Sequence, residues 1–140
     1  MRGCRAALLL RVALAALAAA PAAASPPLDY QLQCRGCHGP DGQGSGGGAP
    51  PFRGQLGRFL GSTDGRAYLI RVPGVARSEL DDANTAALLT WLVRHFDGDN
   101  VPPDFTPFTT AEVAAHRRPP LTDVVAERRR VLAVGGASAP

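Results

Sequence analysis

Cys34-Arg35-Gly36-Cys37-His38 is the stretch on which the reading of this 140-residue chain turns. Two thiols three positions apart, with a histidine directly after the second, form C-x-x-C-H, the c-type haem attachment sequence. The chemistry explains the spacing. Two thiols add across the two vinyl groups of one porphyrin to form thioethers, and two intervening residues let both sulfurs reach the same edge. The adjacent imidazole then lies under the ring, where it ligates iron. Three other readings compete. A structural zinc site needs about four ligands, whereas beyond Cys4 the chain offers two cysteines and three histidines, with no second cysteine pair. A thioredoxin-type pair belongs in a β-α-β setting, but here a glycine-rich loop and helical patterns follow. A disulfide between Cys34 and Cys37 would close a loop too short to contribute much stability, and it leaves His38 unexplained. The candidate site is therefore Cys34, Cys37 and His38, with His38 the metal ligand and one covalent haem the cofactor.

Upstream, Met1–Arg11 carries Arg2, Arg5 and Arg11, Val12–Ala20 is uninterrupted apolar, and Ala22-Ala23-Ala24 precedes Ser25. A charged start, a short apolar run and small residues before a cleavage point are the parts of a secretory signal peptide. Spanning a membrane takes about 20 apolar residues, and Arg11 interrupts the one candidate run. Residues 1–24 are thus expected to leave as a leader, taking Cys4 with them. The protein is expected in an exported compartment, the periplasm, with no transmembrane segment after cleavage. All fifteen basic residues are arginine. Removing the three in the leader leaves twelve against twelve acids, which excludes a strongly cationic nucleic-acid binder. With 45% hydrophobic and 19% charged residues the composition is globular, not disordered.

From Leu28 to Phe96 the sequence resembles a small class I monohaem cytochrome c. Tyr30 lies one helical turn before Cys34, and Cys37-His38-Gly39-Pro40-Asp41-Gly42 reads like that family's C-H-G-x-x-G continuation. Ala49-Pro50-Pro51-Phe52 resembles its loop whose proline carbonyl receives Nδ1–H of the proximal histidine. Asp81-Asp82 followed by Ala86-Ala87-Leu88-Leu89-Thr90-Trp91-Leu92 looks like its last helix. The resemblance implies an all-α fold, with three core helices around one haem. It further implies a carrier that passes single electrons to or from a dehydrogenase, an oxidase or another cytochrome. It would be a carrier or an electron-transfer subunit of an oxidoreductase rather than a catalyst.

Periodicity places the elements. Leu28–Arg35 is expected as a helix with Leu28 and Leu32 on one face and Tyr30 in core packing. Gly42–Gly48 is expected as a loop at the haem edge or open to solvent. It is no phosphate loop, because G-K-[ST] is missing. Gly65–Val72 is expected helical, ended by Pro73-Gly74. Asp81 is the expected N-cap of a helix through Phe96, its apolar stripe Ala86, Leu89, Val93 and Phe96 crossing the first helix. Beyond residue 98 a helical extension is expected to residue 134. Its parts are a capping box at Thr109–Glu112, a helix to Arg117, and a second helix from a Thr122 cap to Ala133. Arg128-Arg129-Arg130 is expected as a solvated face, and residues 135–140 as a disordered tail. The domain expectation is a haem unit over 25–98 and an extension over 99–134.

One departure from the family matters. The resemblance implies methionine as sixth iron ligand, and that position falls near Val72-Pro73; the only methionine is Met1. The sixth position is then open or water-bound behind Val72, or filled by His116, by His95, or by another group. An open iron would make the protein a haem-based gas sensor or weak peroxidase. Arg53 and Arg71 are candidate partners for a haem propionate.

Overall fold

The computed structural model describes residues 25–46 and 48–136; the leader expected over 1–24 lies outside them. Among the described residues all regular structure is helical. The helices are α1 (Pro26–Gln33), α2 (Arg35–His38), α3 (Thr63–Arg71), α4 (Pro73–Ala76), α5 (Asp82–Phe96), α6 (Thr110–His116) and α7 (Val124–Gly136). Single 3-10 turns cover Gly57–Phe59 and Gly98–Asn100.

The caps explain most boundaries. Asp81 accepts from Asn84 N–H at 2.7 Å and starts α5, as its sequence implies. Ser62 accepts from Gly65 N–H at 3.0 Å and starts α3 two residues before the expected point. Val72 ends α3, but Pro73 then opens α4, because its fixed φ and missing N–H suit a first helical position. Thr109 caps α6 through Glu112 N–H at 3.1 Å. Only half of the capping box forms, since the Glu112 carboxylate turns instead to Arg66, at 2.6 and 2.7 Å. The last helix is capped by Asp123, which accepts from Ala126 N–H at 2.8 Å, not by Thr122. It runs through Gly135 and Gly136, so the expected tail is helical at its start. Residues 137–140 lie outside the described residues.

The stripe on α5 packs as expected. Ala86, Leu89, Val93 and Phe96 are all buried, and α1 crosses α5. The expectation for α1 is corrected. Leu28 and Leu32 are 51% and 70% exposed, while Tyr30 is 3% exposed. The ring of Tyr30 contacts those of Phe52, Trp91 and Phe96. One buried aromatic with several ring partners fixes a short helix better than a two-leucine stripe.

The extension does not form a core of its own. Its helix α6 packs on α5 and α3, and α7 packs on α3 and the Gly57–Phe59 turn. Val113, Leu121 and Val131 join the same buried cluster as Phe59, Ile70 and Val93. Polar contacts reinforce the seam. Leu121 N–H donates to Arg71 C=O at 3.0 Å, and Arg71 Nε donates to Pro119 C=O at 3.2 Å. The expected solvated face holds for Arg129 and Arg130, which are exposed, Arg130 in surface pairs with Asp64 and Glu127; Arg128 alone is half-buried, donating to Gln55 and lying over Phe59.

Candidate haem-attachment site

The site is built at the end of one helix. α1 stops at Gln33, Cys34 takes a non-helical conformation, and α2 resumes from Arg35 to His38. Cys37 and His38 N–H groups both return to Cys34 C=O, at 3.1 and 3.0 Å, so the motif is wound into a single turn. Gly39, with φ +77°, then ends it. Cys34 and Cys37 are both free thiols, the first half-buried and the second exposed.

His38 is held from two sides. Its Nδ1 lies 3.1 Å from Pro50 C=O, and its ring stacks on Phe52 with centroids 4.1 Å apart. Nδ1–H donated to a carbonyl leaves Nε2 as the free lone pair, the arrangement that orients metal-ligating histidines and raises their basicity. Burial pushes the His38 pKa down, against the Pro50 hydrogen bond, which pulls it up. The net lowering favours the neutral ring, the form that ligates metals.

Cys34 behaves differently from a redox-active thiol. Burial, with smaller contributions from Asp29 and Cys37, pushes its pKa up to about 11. Reactive C-x-x-C pairs carry a thiol of lowered pKa, and the shift at Cys34 is in the opposite direction. No three His, Cys, Asp or Glu side chains converge as a metal cluster among the described residues. A neutral imidazole with one nitrogen committed and two free thiols on the adjoining turn is a donor set that fits a covalently attached haem.

The surrounding loop closes on this turn. Gly44 N–H donates to His38 C=O, and Phe52 N–H to Gly42 C=O, each at 2.8 Å. Gly42 has φ +64°, and a Cβ there would lie 2.8 Å from the Phe52 ring and 2.9 Å from that of Phe96; only glycine fits between them. The Tyr30 hydroxyl donates to Gly39 C=O, tying α1 to the residue after His38. The expectation that Tyr30 serves in packing stands, with this added hydrogen bond.

Among the described residues, no hydrogen bond, ion pair or ring contact joins the other candidates to Cys34, Cys37 or His38. His95 is exposed and stacks on Trp91, centroids 4.3 Å apart. It lines a groove of about 450 Å³ with Pro27, Gln31, Arg35 and Pro40. His116 sits half-buried on α6. Arg71 is occupied by Pro119, and Arg53 is an exposed residue 3.9 Å from Asp99. Sequence reasoning missed Asp97, which is 1% exposed. Its signal was position: a carboxylate at the C-terminus of a helix opposes the helix dipole and so calls for a local reason.

An all-helical chain with two thiols and a neutral, carbonyl-oriented imidazole on one turn has the architecture of a c-type cytochrome. No family model matches the sequence. It is 34% identical over 119 aligned residues to cytochrome c-552 of Thermus thermophilus, a match covering 71% of this chain and 91% of that protein. A second cytochrome c-552 from Thermus thermophilus gives the same identity, with 80% of its length covered. The chain belongs to the cytochrome c family.

Proposed function

We propose that this is an exported one-haem cytochrome that passes single electrons between protein partners, its haem held by thioethers to Cys34 and Cys37 and its iron ligated by His38. The observation that carries the reading is the His38 imidazole next to the two thiols, fixed at Nδ1 by Pro50 C=O and stacked on Phe52. The family membership supports it. When bound, the haem supplies the one-electron iron couple. The chain's own residues do the rest. Cys34 and Cys37 anchor the porphyrin edge, Pro50 and Phe52 orient His38, and the Gly42–Phe52 loop closes around that imidazole.

The proposed compartment is the periplasm, after cleavage near Ala24. The charge pattern at the N-terminus supports export, and no helix among the described residues is long and apolar enough to cross a membrane. The proposed units are the haem-binding region over 25–98 and the extension over 99–134. The partner is a dehydrogenase, an oxidase or another cytochrome, met through a small, transient contact. Mass spectrometry of protein from its native host tests the attachment. One added haem mass is expected on the peptide containing Cys34 and Cys37; free or mutually joined thiols overturn the reading.

A second reading has its own observation: Val72, where the family resemblance places the sixth ligand, joins α3 to α4 and has no atom that binds iron. An open iron would bind carbon monoxide or peroxide. Reduced-minus-oxidised spectra followed by CO addition separate the two: rapid CO binding with a high-spin ferric spectrum favours the open site, and indifference to CO favours six ligands. His95→Ala and His116→Ala then identify a sixth histidine.

A further inference from the structure

Asp97 combines two unfavourable placements. It is the C-cap of α5, where the carbonyl end of the helix repels a negative charge, and at 1% exposure it has lost its water. Three donors compensate. Gly54 N–H and Asn100 Nδ2–H donate to Oδ1, the second at 2.8 Å, and Gly57 N–H donates to Oδ2 at 2.8 Å. The Gly57 backbone passes so close that a Cβ there would lie 2.1 Å from Asn100 C=O. The contact thus requires glycine at 57.

What Asp97 grips is the turn beside the iron ligand. Gln55 and Leu56 N–H groups both return to Phe52 C=O, so residues 52–56 form one hydrogen-bonded turn, with Gly57 directly after it. Phe52 stacks on the His38 ring, and Pro50, two residues earlier, accepts from Nδ1. Phe96, next to Asp97, packs on Phe52 with centroids 5.4 Å apart. One buried carboxylate at the end of α5 therefore fixes the short segment that supplies both contacts to the imidazole.

We infer that Asp97 is a positioning residue for His38: by clamping Gly54 and Gly57 it holds Pro50 C=O on Nδ1 and thereby sets the donor strength of the ligand and the reduction potential of the iron. The inference rests on the reading of His38 as the axial ligand. A firm Nδ1–H···O=C bond makes the imidazole more basic. A more basic ligand favours ferric iron, since hydrogen bonding around the ligands is one of the protein's means of setting the potential. Loosening the turn weakens that bond and raises the potential.

The test uses the haem-loaded protein. Asp97→Asn keeps the size but replaces one acceptor oxygen by an NH₂ group facing an N–H donor. Two measurements are made: the reduction potential, and the solvent exchange of the His38 Nδ1 proton by NMR. The one-electron equilibrium is expected to move toward ferrous by up to about tenfold, about 59 mV, and the ring proton to exchange severalfold faster. Arg117→Met, which removes another buried set of hydrogen bonds, is expected to lower the unfolding temperature and leave both measurements unchanged. A change in only one of them overturns the inference, because a potential that moves alone reports lost charge and not a moved carbonyl. No change in either also overturns it. If Asp97→Asn does not retain haem, Asn100→Ala removes one donor to the carboxylate and is judged by the same two measurements, with smaller shifts in the same directions expected. Wild-type protein without covalent haem overturns this inference together with the attachment reading.

Discussion

Two regions of this protein are each fastened by one buried charge, and the two fasteners work in opposite ways. In the haem-binding half Asp97 gathers the N–H groups of a turn and the amide of Asn100. In the extension Arg117, 8% exposed, donates to the carbonyls of Ala76, Ser78 and Leu80, to the Ser78 hydroxyl and to Asp82. The anion therefore collects donors where the chain turns toward His38. The cation collects acceptors left over where α4 ends and α5 begins. The difference is instructive because orphan carbonyls follow a helix C-terminus, and a five-donor guanidinium can satisfy several at once. The segment from Ala76 to Asp82 is thus tied by hydrogen bonds to a side chain of the extension. Asp97 serves a site, whereas Arg117 serves a seam.

The sharpest way to break this comparison is to remove the haem. Around the motif the helices are short: α2 has four residues and α1 has eight, fewer than a helix needs to persist alone. A Cys34→Ala, Cys37→Ala double variant is expected to carry no covalent haem and to lose its cooperative unfolding transition by circular dichroism. A sharp, reversible transition in that variant would show that the haem-binding half stands without its cofactor.

Arg117→Met comes next in size. It leaves three backbone carbonyls and the Asp82 carboxylate without their donor, and a loss of about 3 kcal/mol is expected in urea unfolding. The haem spectrum should be unaltered; a changed spectrum would join the seam to the site.

A smaller effect is expected at the Arg66–Glu112 pair, which closes the same seam. The Arg66 hydrogen bond is the largest influence on Glu112 and, with the Arg66 charge, holds its carboxyl below the ordinary value of 4.5 in spite of burial. A folded pKa below the unfolded one contributes stability above the unfolded value and loses it as pH falls through the folded value. Glu112→Gln is therefore expected to cost about 1.5 kcal/mol at pH 7. The difference from wild type should shrink below pH 4.5 in acid titrations of stability; a difference that grows in acid would reverse the assignment.

Smallest of all is Leu32→Gln. Leu32 is 70% exposed, and a change within about 0.5 kcal/mol is expected. A larger loss in the haem-loaded protein would mean that this leucine is covered once haem is bound.

Much of this was legible without coordinates, for local reasons. Asp81 as the start of α5, the α5 stripe and the Thr109 cap all depend on residues within a turn or two of one another. The misreadings share a different cause. Leu28 and Leu32 look like a buried face until Tyr30 finds three ring partners from distant segments. Glu112 looks like the second half of a capping box until Arg66, 46 positions away, claims its carboxylate. Arg128 looks solvated until α7 lies on the Gly57–Phe59 turn and places it over the Phe59 ring.

By itself the sequence determined the helical class and where C-x-x-C-H falls, because thioether spacing, caps and apolar periodicity are properties of neighbouring residues. The family resemblance already implied that Pro50 C=O receives His38 Nδ1–H, and the structure agrees; only the tertiary structure decided that Asp97 grips the turn behind it, and that the extension shares a single core with the rest. Those arrangements depend on which unsatisfied donors and acceptors the folded chain brings together, and a buried polar group takes the partner that packing places within reach.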